Sequence, residues 1–445
     1  MDTFVYKDHK KLRCGYTTGT CAAIAAQGAV RFLLTGSWKE TEEIMTPKGI
    51  PVCVSLEEKT SGDSWAECAV RKDAGDDYDV TNGILVYARA EFVKDKNFYE
   101  KVQMSHLESS GFGAAGEKPG LSPENQKQQK KANAAHQKEA LPESLVRIDG
   151  GIGIGRITKS GLDQPIGAAA INSVPRKMIR DAVYELLEEA GELRLVSITI
   201  SVPAGVEAAK KTFNPVLGIE GGISVLGTSG IVEPMSEEAL VETIRTHLNV
   251  LKAEGRKWVI AVPGNMGAGF LERYLVEHGK FCTDAHQGSN AADTDAAVEA
   301  EQMAYGELST GTEPSLLEGF MNSLVTMSNF VGKTIDLAAE LGFSGILIAG
   351  HMGKLVKIGN GIMNTHSREA DGRMDTMLSC ALSAGTEDLE LLRKIQRSNT
   401  TDEAMDHLKQ AGIIEDTINV FLKRADWHLT HRSRDEVRTG MIVFG

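Results

Sequence analysis

The sequence predicts a strand-rich α+β domain over residues 1–193, followed by a Rossmann-like, doubly wound α/β domain over residues 194–445. Three observations predict this. β-branched, alternating segments dominate the first part of the chain. From Leu195 onward, strand-sized apolar runs alternate with helical segments, the rhythm of a parallel sheet with crossover helices. Glycine-rich segments stand between strand and helix at Pro263–Gly269 and Gly350–Lys354, where open α/β sheets take up ligands. A length of 445 residues suits about two or three domains.

The elements follow in order. Arg13-Cys14-Gly15-Tyr16-Thr17-Thr18-Gly19-Thr20-Cys21 reads as a Gly/Thr loop feeding an Ala-rich helix over Ala22–Leu34. Thr18 or Thr20 is its expected N-cap and Gly36 its stop. Ile50–Leu56, Trp65–Arg71 and Ile84–Val93 read as strands, with a turn cluster at Asp73–Asp79 and Asn82-Gly83. His106–Glu143 is polar and without apolar periodicity, a composition that predicts a mobile insertion. Arg147–Ile157 reads as a glycine-punctuated hairpin, Pro175–Ala190 as an amphipathic helix ended by Gly191, and Leu195–Val202 as a strand.

Gly218–Gly230 reads as an apolar, glycine-rich loop and Ser236–Leu251 as a helix, with Glu237 and Glu238 favourably placed in its first turn. Trp258–Val262 is a strand, Pro263–Gly269 a loop and Phe270–His278 a helix. Cys282–Glu318 reads as a second insertion. Leu324–Leu341 reads as a helix, Gly345–Ala349 as a strand, Asp375–His431 as mainly helical and Gly440–Gly445 as a last strand.

Composition narrows the function. The formal charge is −13, which repels a phosphodiester backbone and argues against general nucleic-acid binding. It leaves room for a small anion in a local basic pocket. The six cysteines include no Cys-x-x-Cys pair, so neither a disulfide scaffold nor a structural zinc site is expected. No run approaches the ~20 apolar residues of a membrane span, and no leader pattern opens the chain; the expectation is a cytoplasmic protein.

Gly151, Gly153 and Gly155 have the wrong spacing for a dinucleotide fingerprint. Gly332-Lys333-Thr334 lacks the P-loop glycine, because Met327 stands in its place. Thr17, Thr18 and Thr20 put three hydroxyls at a helix start, for an anion or for capping. Cys21 has no evident basic partner and reads as buried packing. Asp73, Asp76, Asp77 and Asp79 lack EF-hand spacing and form either a solvated turn or a ligand-facing cluster. Asn364, His366, Ser367, Arg368, Asp371 and Arg373 make a polar cluster, either a site or a hydrogen-bonded loop.

Long ordered motifs carry a likeness. They include Cys14-Gly-Tyr-Thr-Thr-Gly-Thr-Cys-Ala-Ala23, Lys72-Asp-Ala-Gly-Asp-Asp77, Asp79-Val-Thr-Asn-Gly83 and Thr158-Lys-Ser-Gly-Leu-Asp-Gln-Pro165. Ala170-Ile-Asn-Ser-Val-Pro-Arg176, Lys211-Thr-Phe-Asn-Pro215 and Leu226-Gly-Thr-Ser-Gly-Ile-Val-Glu-Pro-Met-Ser236 continue the series. Gly350-His-Met-Gly-Lys354, Gly361-Ile-Met-Asn-Thr-His-Ser-Arg368 and Ala370-Asp-Gly-Arg373 complete it. With these the chain resembles the cobalt-precorrin-5B C-1-methyltransferase family of the anaerobic cobalamin pathway, departing from it at the two insertions.

The resemblance implies S-adenosylmethionine-dependent methylation of C-1 on an anionic, cobalt-containing tetrapyrrole, giving cobalt-precorrin-6A. The cobalt belongs to the substrate, so no protein-bound metal is expected. Methyl transfer rests mostly on positioning and desolvation. His351 and Asp76 are the candidates for acid/base help, and Gly264, Asn265, Gly267, Gly350 and Gly353 for the cosubstrate. The many substrate carboxylates call for Thr17, Thr18, Thr20, Lys72, Lys159, Arg176, Lys354, His366, Arg368 and Arg373, with Arg71 as a further candidate. No nucleic-acid or membrane partner is expected, and a homo-oligomer is compatible with the reading. Two alternatives stay open: a tetrapyrrole carrier without catalysis, and a nucleotide-dependent kinase or ligase using Gly350–Lys354.

Overall fold

The structure is a computed structural model that describes residues 3–7, 9–93, 145–278, 319 and 321–445, with backbone alone at 275–278. The insertions expected at 106–143 and 282–318 lie outside the described residues. The chain forms two compact units, Met1–Thr158 with Asp163–Met235, and Lys159–Leu162 with Ser236–Gly445.

The N-terminal unit is strand-rich. β1 (Phe4–Lys7) and β2 (Lys10–Arg13) form an antiparallel pair, followed by β3 (Gly15–Tyr16) and α1 (Thr18–Thr35). β4 (Thr41–Met45) pairs with β5 (Pro51–Ser55). Then come β6 (Glu57–Ser61), β7 (Trp65–Arg71), β8 (Leu85–Phe92), β9 (Val146–Gly150), β10 (Arg156–Ile157), α2 (Ser173–Ala190) and β11 (Val196–Ser201). α3 (Gly205–Ala209), β12 (Ile219–Glu220) and β13 (Ile231–Val232) close the unit. The main sheet runs β6-β7-β8-β11-β9, with β11 antiparallel to β8 and parallel to β9.

α1 explains how this sheet is covered. Its residues from Thr18 to Val30 are all buried, and its alanines let α2, β7 and β8 approach closely. A Cβ on Gly28 would stand 2.5 Å from Leu56 Cδ1, so any larger residue there would displace the Leu56 side chain.

The C-terminal unit opens with α4 (Glu237–Ala253), capped by Ser236, whose side chain accepts the Ala239 N–H. β14 (Trp258–Val262), α5 (Asn265–His278), β15 (Leu324–Thr326), α6 (Val331–Glu340), β16 (Gly345–His351) and α7 (Met352–Leu355) follow. A 3-10 turn (Val356–Asn360) leads to α8 (Arg373–Ser383), α9 (Leu389–Arg397), α10 (Thr401–Gln410), α11 (Ile414–Ser433) and β17 (Arg438–Phe444). The sheet runs β15-β14-β16-β17 and every pairing in it is parallel. The unit has its own core, built around Val259, Ile346, Ile348, Met377 and Phe421.

Several expectations change. Along the chain the division falls at Met235/Ser236, with Lys159–Leu162 also in the second unit, rather than at 193/194, because Val196–Ser201 pairs with β8 and β9. Arg147–Ile157 is not a hairpin: β9 pairs with β11, whereas β10 pairs with β12. Leu324–Leu341 is a strand and a separate helix, joined through Ser328, which holds a left-handed φ of 54°. The segment Pro263–Gly269 is mostly helix, since α5 starts at Asn265. Thr17, not Thr18 or Thr20, caps α1.

Candidate functional site

Parallel pairing puts the carboxyl ends of β14, β15, β16 and β17 along one edge of the C-terminal sheet. In chain order these strands stand second, first, third, fourth, so the connections diverge between β14 and β16. A divergence of this kind is where α/β sheets bind ligands. Pro263 and Gly264 leave β14, and His351 ends β16. The two ends touch: a Cβ on Gly350 would lie 3.0 Å from Pro263 Cδ.

Aromatic rings flank this edge. Phe270 stacks on Phe444 with centroids 3.8 Å apart, and the His351 ring meets Phe444 edge-on at 5.6 Å. His351 Nδ1 accepts the Gly353 N–H, capping α7, and Nε2 stands 3.8 Å from Asp402 Oδ1.

The five residues expected to hold a cosubstrate gather here but do different work. A Cβ on Gly267 would meet Val262 Cβ at 3.0 Å, and one on Gly353 would meet His351 Nδ1 at 3.1 Å. At Gly267, Gly350 and Gly353 a side chain would therefore press on protein atoms. Gly264 has nothing within 4 Å of its Cβ position, and Asn265 beside it is exposed. Of the five, Gly264 and Asn265 are the ones that border open space.

A second loop hooks onto the same edge. Asn329 follows β15; its carbonyl accepts the Thr365 N–H at 3.0 Å, and its Oδ1 accepts from Lys354 Nζ at 3.0 Å. Within the loop, Asn364 Oδ1 accepts the His366 N–H and His366 Nδ1 accepts the Arg368 N–H, both at 3.1 Å. Arg373 forms a two-pronged pair with Asp371. Lys354, His366, Arg368 and Arg373 therefore share one unit and one loop system. Lys159, also in this unit, pairs with Glu254 at 3.0 Å.

The remaining candidates lie in the N-terminal unit. Thr17 Oγ1 accepts the Thr20 N–H, and buried Thr20 Oγ1 donates to the Gly230 carbonyl at 2.6 Å. Thr18 is buried as well, and the Gly19 N–H bonds Leu226 O at 3.0 Å. The α1 start is thus filled by the chain's own 226–230 loop. Lys72, only 3% exposed, pairs with Asp79 and Thr81. Burial alone would raise the Asp79 carboxyl, but the Lys72 charge and the bonds from Lys72 and Thr81 hold it below the ordinary value. Asp76 Oδ2 accepts the Arg13 N–H at 2.7 Å. Arg176 donates to the carbonyls of Ile171, Ile148 and Ala169, and burial lowers its pKa. Arg71 is held by Glu57. Burial pushes the Cys21 thiol up to about 12, as suits packing rather than attack.

Sequence reasoning missed Asn329, Phe270, Phe444 and Lys357. Asn329 fell inside an expected helix. A lysine between Val356 and Ile358 was the available signal for Lys357. Among the described residues, no group of three or more His, Cys, Asp or Glu gathers to hold a metal ion, and no helix is long and apolar enough to cross a membrane.

The chain matches a family model described as CbiD over residues 5–129 and 126–234, and one described as CbiD, C-terminal domain, over 364–445. It is 36% identical over 445 residues to cobalt-precorrin-5B C(1)-methyltransferase of Ruminiclostridium cellulolyticum, covering 100% of this chain and 92% of the relative. The protein of that name from Methanocaldococcus jannaschii is 33% identical, with 96% and 92% covered. A 1.9 Å crystal structure of a cobalamin biosynthesis protein (cbiD) from Archaeoglobus fulgidus is similar at 21% identity and a TM-score of 0.35, over 83% of this chain and 87% of that one.

Proposed function

The chain belongs to the CbiD family, and on that premise we propose that it methylates C-1 of cobalt-precorrin-5B. The observation that carries this is the likeness along the whole chain to proteins of that name from several organisms. S-adenosylmethionine is the methyl donor that such a family implies; bound, it supplies a methyl group on a positively charged sulfur.

The C-terminal unit suits that cosubstrate. We read its sheet as a Rossmann-like, doubly wound one, with the strand end at Gly264 and Asn265 taking the adenosyl portion. Gly264 leaves room for it, and Phe270 with Phe444 offers a flat apolar flank. His351, at the end of the adjacent strand, donates through Nε2 to the substrate, which orients the ring carbon toward the methyl. Lys354, His366, Arg368 and Arg373 receive substrate carboxylates. Asp76, Arg176, Lys72 and the threonines stay in the N-terminal unit as holders of its loops. These groups give catalysis by positioning and exclusion of water, since the transfer needs little proton movement. We place the enzyme in the cytoplasm.

The test is anaerobic incubation of purified protein with cobalt-precorrin-5B and methyl-labelled S-adenosylmethionine. Label on C-1 of the product is the expected outcome. Corrinoid binding without label would make it a carrier, and nucleotide turnover would make it a kinase or ligase.

A further inference from the structure

Lys357 sits in the 3-10 turn after α7 with 3% of its surface exposed. A buried ammonium is costly unless its protons are bonded. Its Nζ donates to Thr365 O at 3.1 Å and to Ala370 O at 2.7 Å. Those carbonyls bracket His366, Ser367, Arg368 and Glu369. Between them the loop turns on itself, with the Glu369 N–H bonded to His366 O at 3.1 Å. Thr365 is fixed from its other side by Asn329. One buried cation thus pins both ends of the short segment that presents His366 and Arg368.

We propose that Lys357 is a positioning residue for substrate: it closes 365–370 into one shape and so aims His366 and Arg368 at a carboxylate of the anionic tetrapyrrole. The inference rests on the reading of this loop as substrate-binding. Its charge has a second use. Asp371 supports the protonated form, while burial, the dominant influence, and then Arg373 and Lys354 oppose it. In its protonated form the side chain adds positive charge to a loop that already carries Arg368 and Arg373. An apolar side chain of equal size would fill the same space but leave two carbonyls without a donor.

The experiment compares Lys357→Met, Lys357→Gln, Arg368→Ala, His366→Ala and the double variant Lys357→Met/Arg368→Ala. S-adenosylhomocysteine titration, KM and kcat for cobalt-precorrin-5B, and amide hydrogen exchange are measured on each folded protein. Lys357→Met is expected to raise KM about tenfold with kcat and S-adenosylhomocysteine affinity nearly unchanged, as removal of uniform binding does. Arg368→Ala should do the same, and the double variant should be little worse than either single one. Faster exchange should be confined to 361–372. Lys357→Gln keeps two donors and should fall between; it replaces Lys357→Met in every comparison if the latter does not fold. A normal KM in the Lys357 variant beside a raised KM in Arg368→Ala overturns the role of Lys357 alone. Normal KM in both Arg368→Ala and His366→Ala overturns the loop reading, and the proposal with it. Loss of cosubstrate affinity together with substrate affinity makes Lys357 a plain core residue.

Discussion

His351 Nδ1 accepts the backbone N–H of Gly353 at 3.0 Å. In a neutral ring this puts the proton on Nε2. Nε2 is then a donor, not a base, with Asp402 Oδ1 3.8 Å away. His351 can orient a substrate group or share a proton with it, but cannot abstract one without breaking its cap.

The first prediction separates capping from catalysis. His351→Ala should lose both and cost about 1 kcal/mol of stability. His351→Asn restores a capping oxygen, so it should recover the stability but not the turnover. Chemical denaturation and kcat decide this, with S-adenosylhomocysteine affinity expected to match wild type. A fully active His351→Asn enzyme would remove the imidazole from the mechanism.

The second prediction concerns Gly264. Its backbone φ is not left-handed and nothing stands within 4 Å of its Cβ position, so Gly264→Val should fold. If the adenosyl group lies there, the valine occupies its space, and calorimetric titration should show S-adenosylhomocysteine binding weakened about tenfold or more. Gly353→Val is a poor substitute, because its side chain would press on His351 Nδ1 rather than on ligand space. Normal binding by Gly264→Val would move the pocket away from this edge.

What was legible in the sequence follows physical locality. Trp65–Arg71 is an alternating segment and Trp258–Val262 a continuous apolar run, and the strands have those very bounds. Gly36 and Gly191 end their helices in left-handed conformation, as their place after an apolar helix suggests. Pairing is not local. Nothing near Val196 says that its partners are Phe92 and Val146. Leu324–Thr326 is too short for a periodicity signal, so the helix after it absorbed it. The polar loop at 361–373 was visible as composition, but its anchors, Asn329 and Lys357, depend on backbone carbonyls and amides that only the fold brings together.

The third prediction tests the start of α1. Thr20→Val keeps the shape of the side chain but removes the hydroxyl that donates to Gly230 O. Gly230 O keeps a second donor, the Thr17 N–H at 3.1 Å, so the cost is that of one buried hydrogen bond, roughly 0.5–1.5 kcal/mol. Urea unfolding should show that loss. Corrinoid affinity at a temperature where the variant is fully folded should be unchanged, because the hydroxyl already has a protein partner. A variant with wild-type stability and weak corrinoid binding would return the threonines to the site.

The fourth prediction is a pH dependence. His247 is held below its ordinary pKa chiefly by burial and then by the positive charge of Lys159, against a smaller opposing pull from Glu254. Unfolded, the ring takes up a proton near pH 6.5. Folded, it does so only at lower pH. Between the two values the unfolded chain binds more protons, so stability falls as pH drops below about 6.5 and levels off once the folded ring is protonated too. His428 is shifted the same way, by burial and then by His431 and Arg424, so it adds to the slope. His247→Asn removes one of the two contributions. Unfolding free energy measured from pH 7.5 to 5 should decline less steeply in His247→Asn than in wild type. Lys159→Gln should bring a smaller change in the same direction, since it relieves the charge but not the burial. Parallel pH profiles for wild type and His247→Asn would mean that the folded ring takes its proton as readily as the unfolded one.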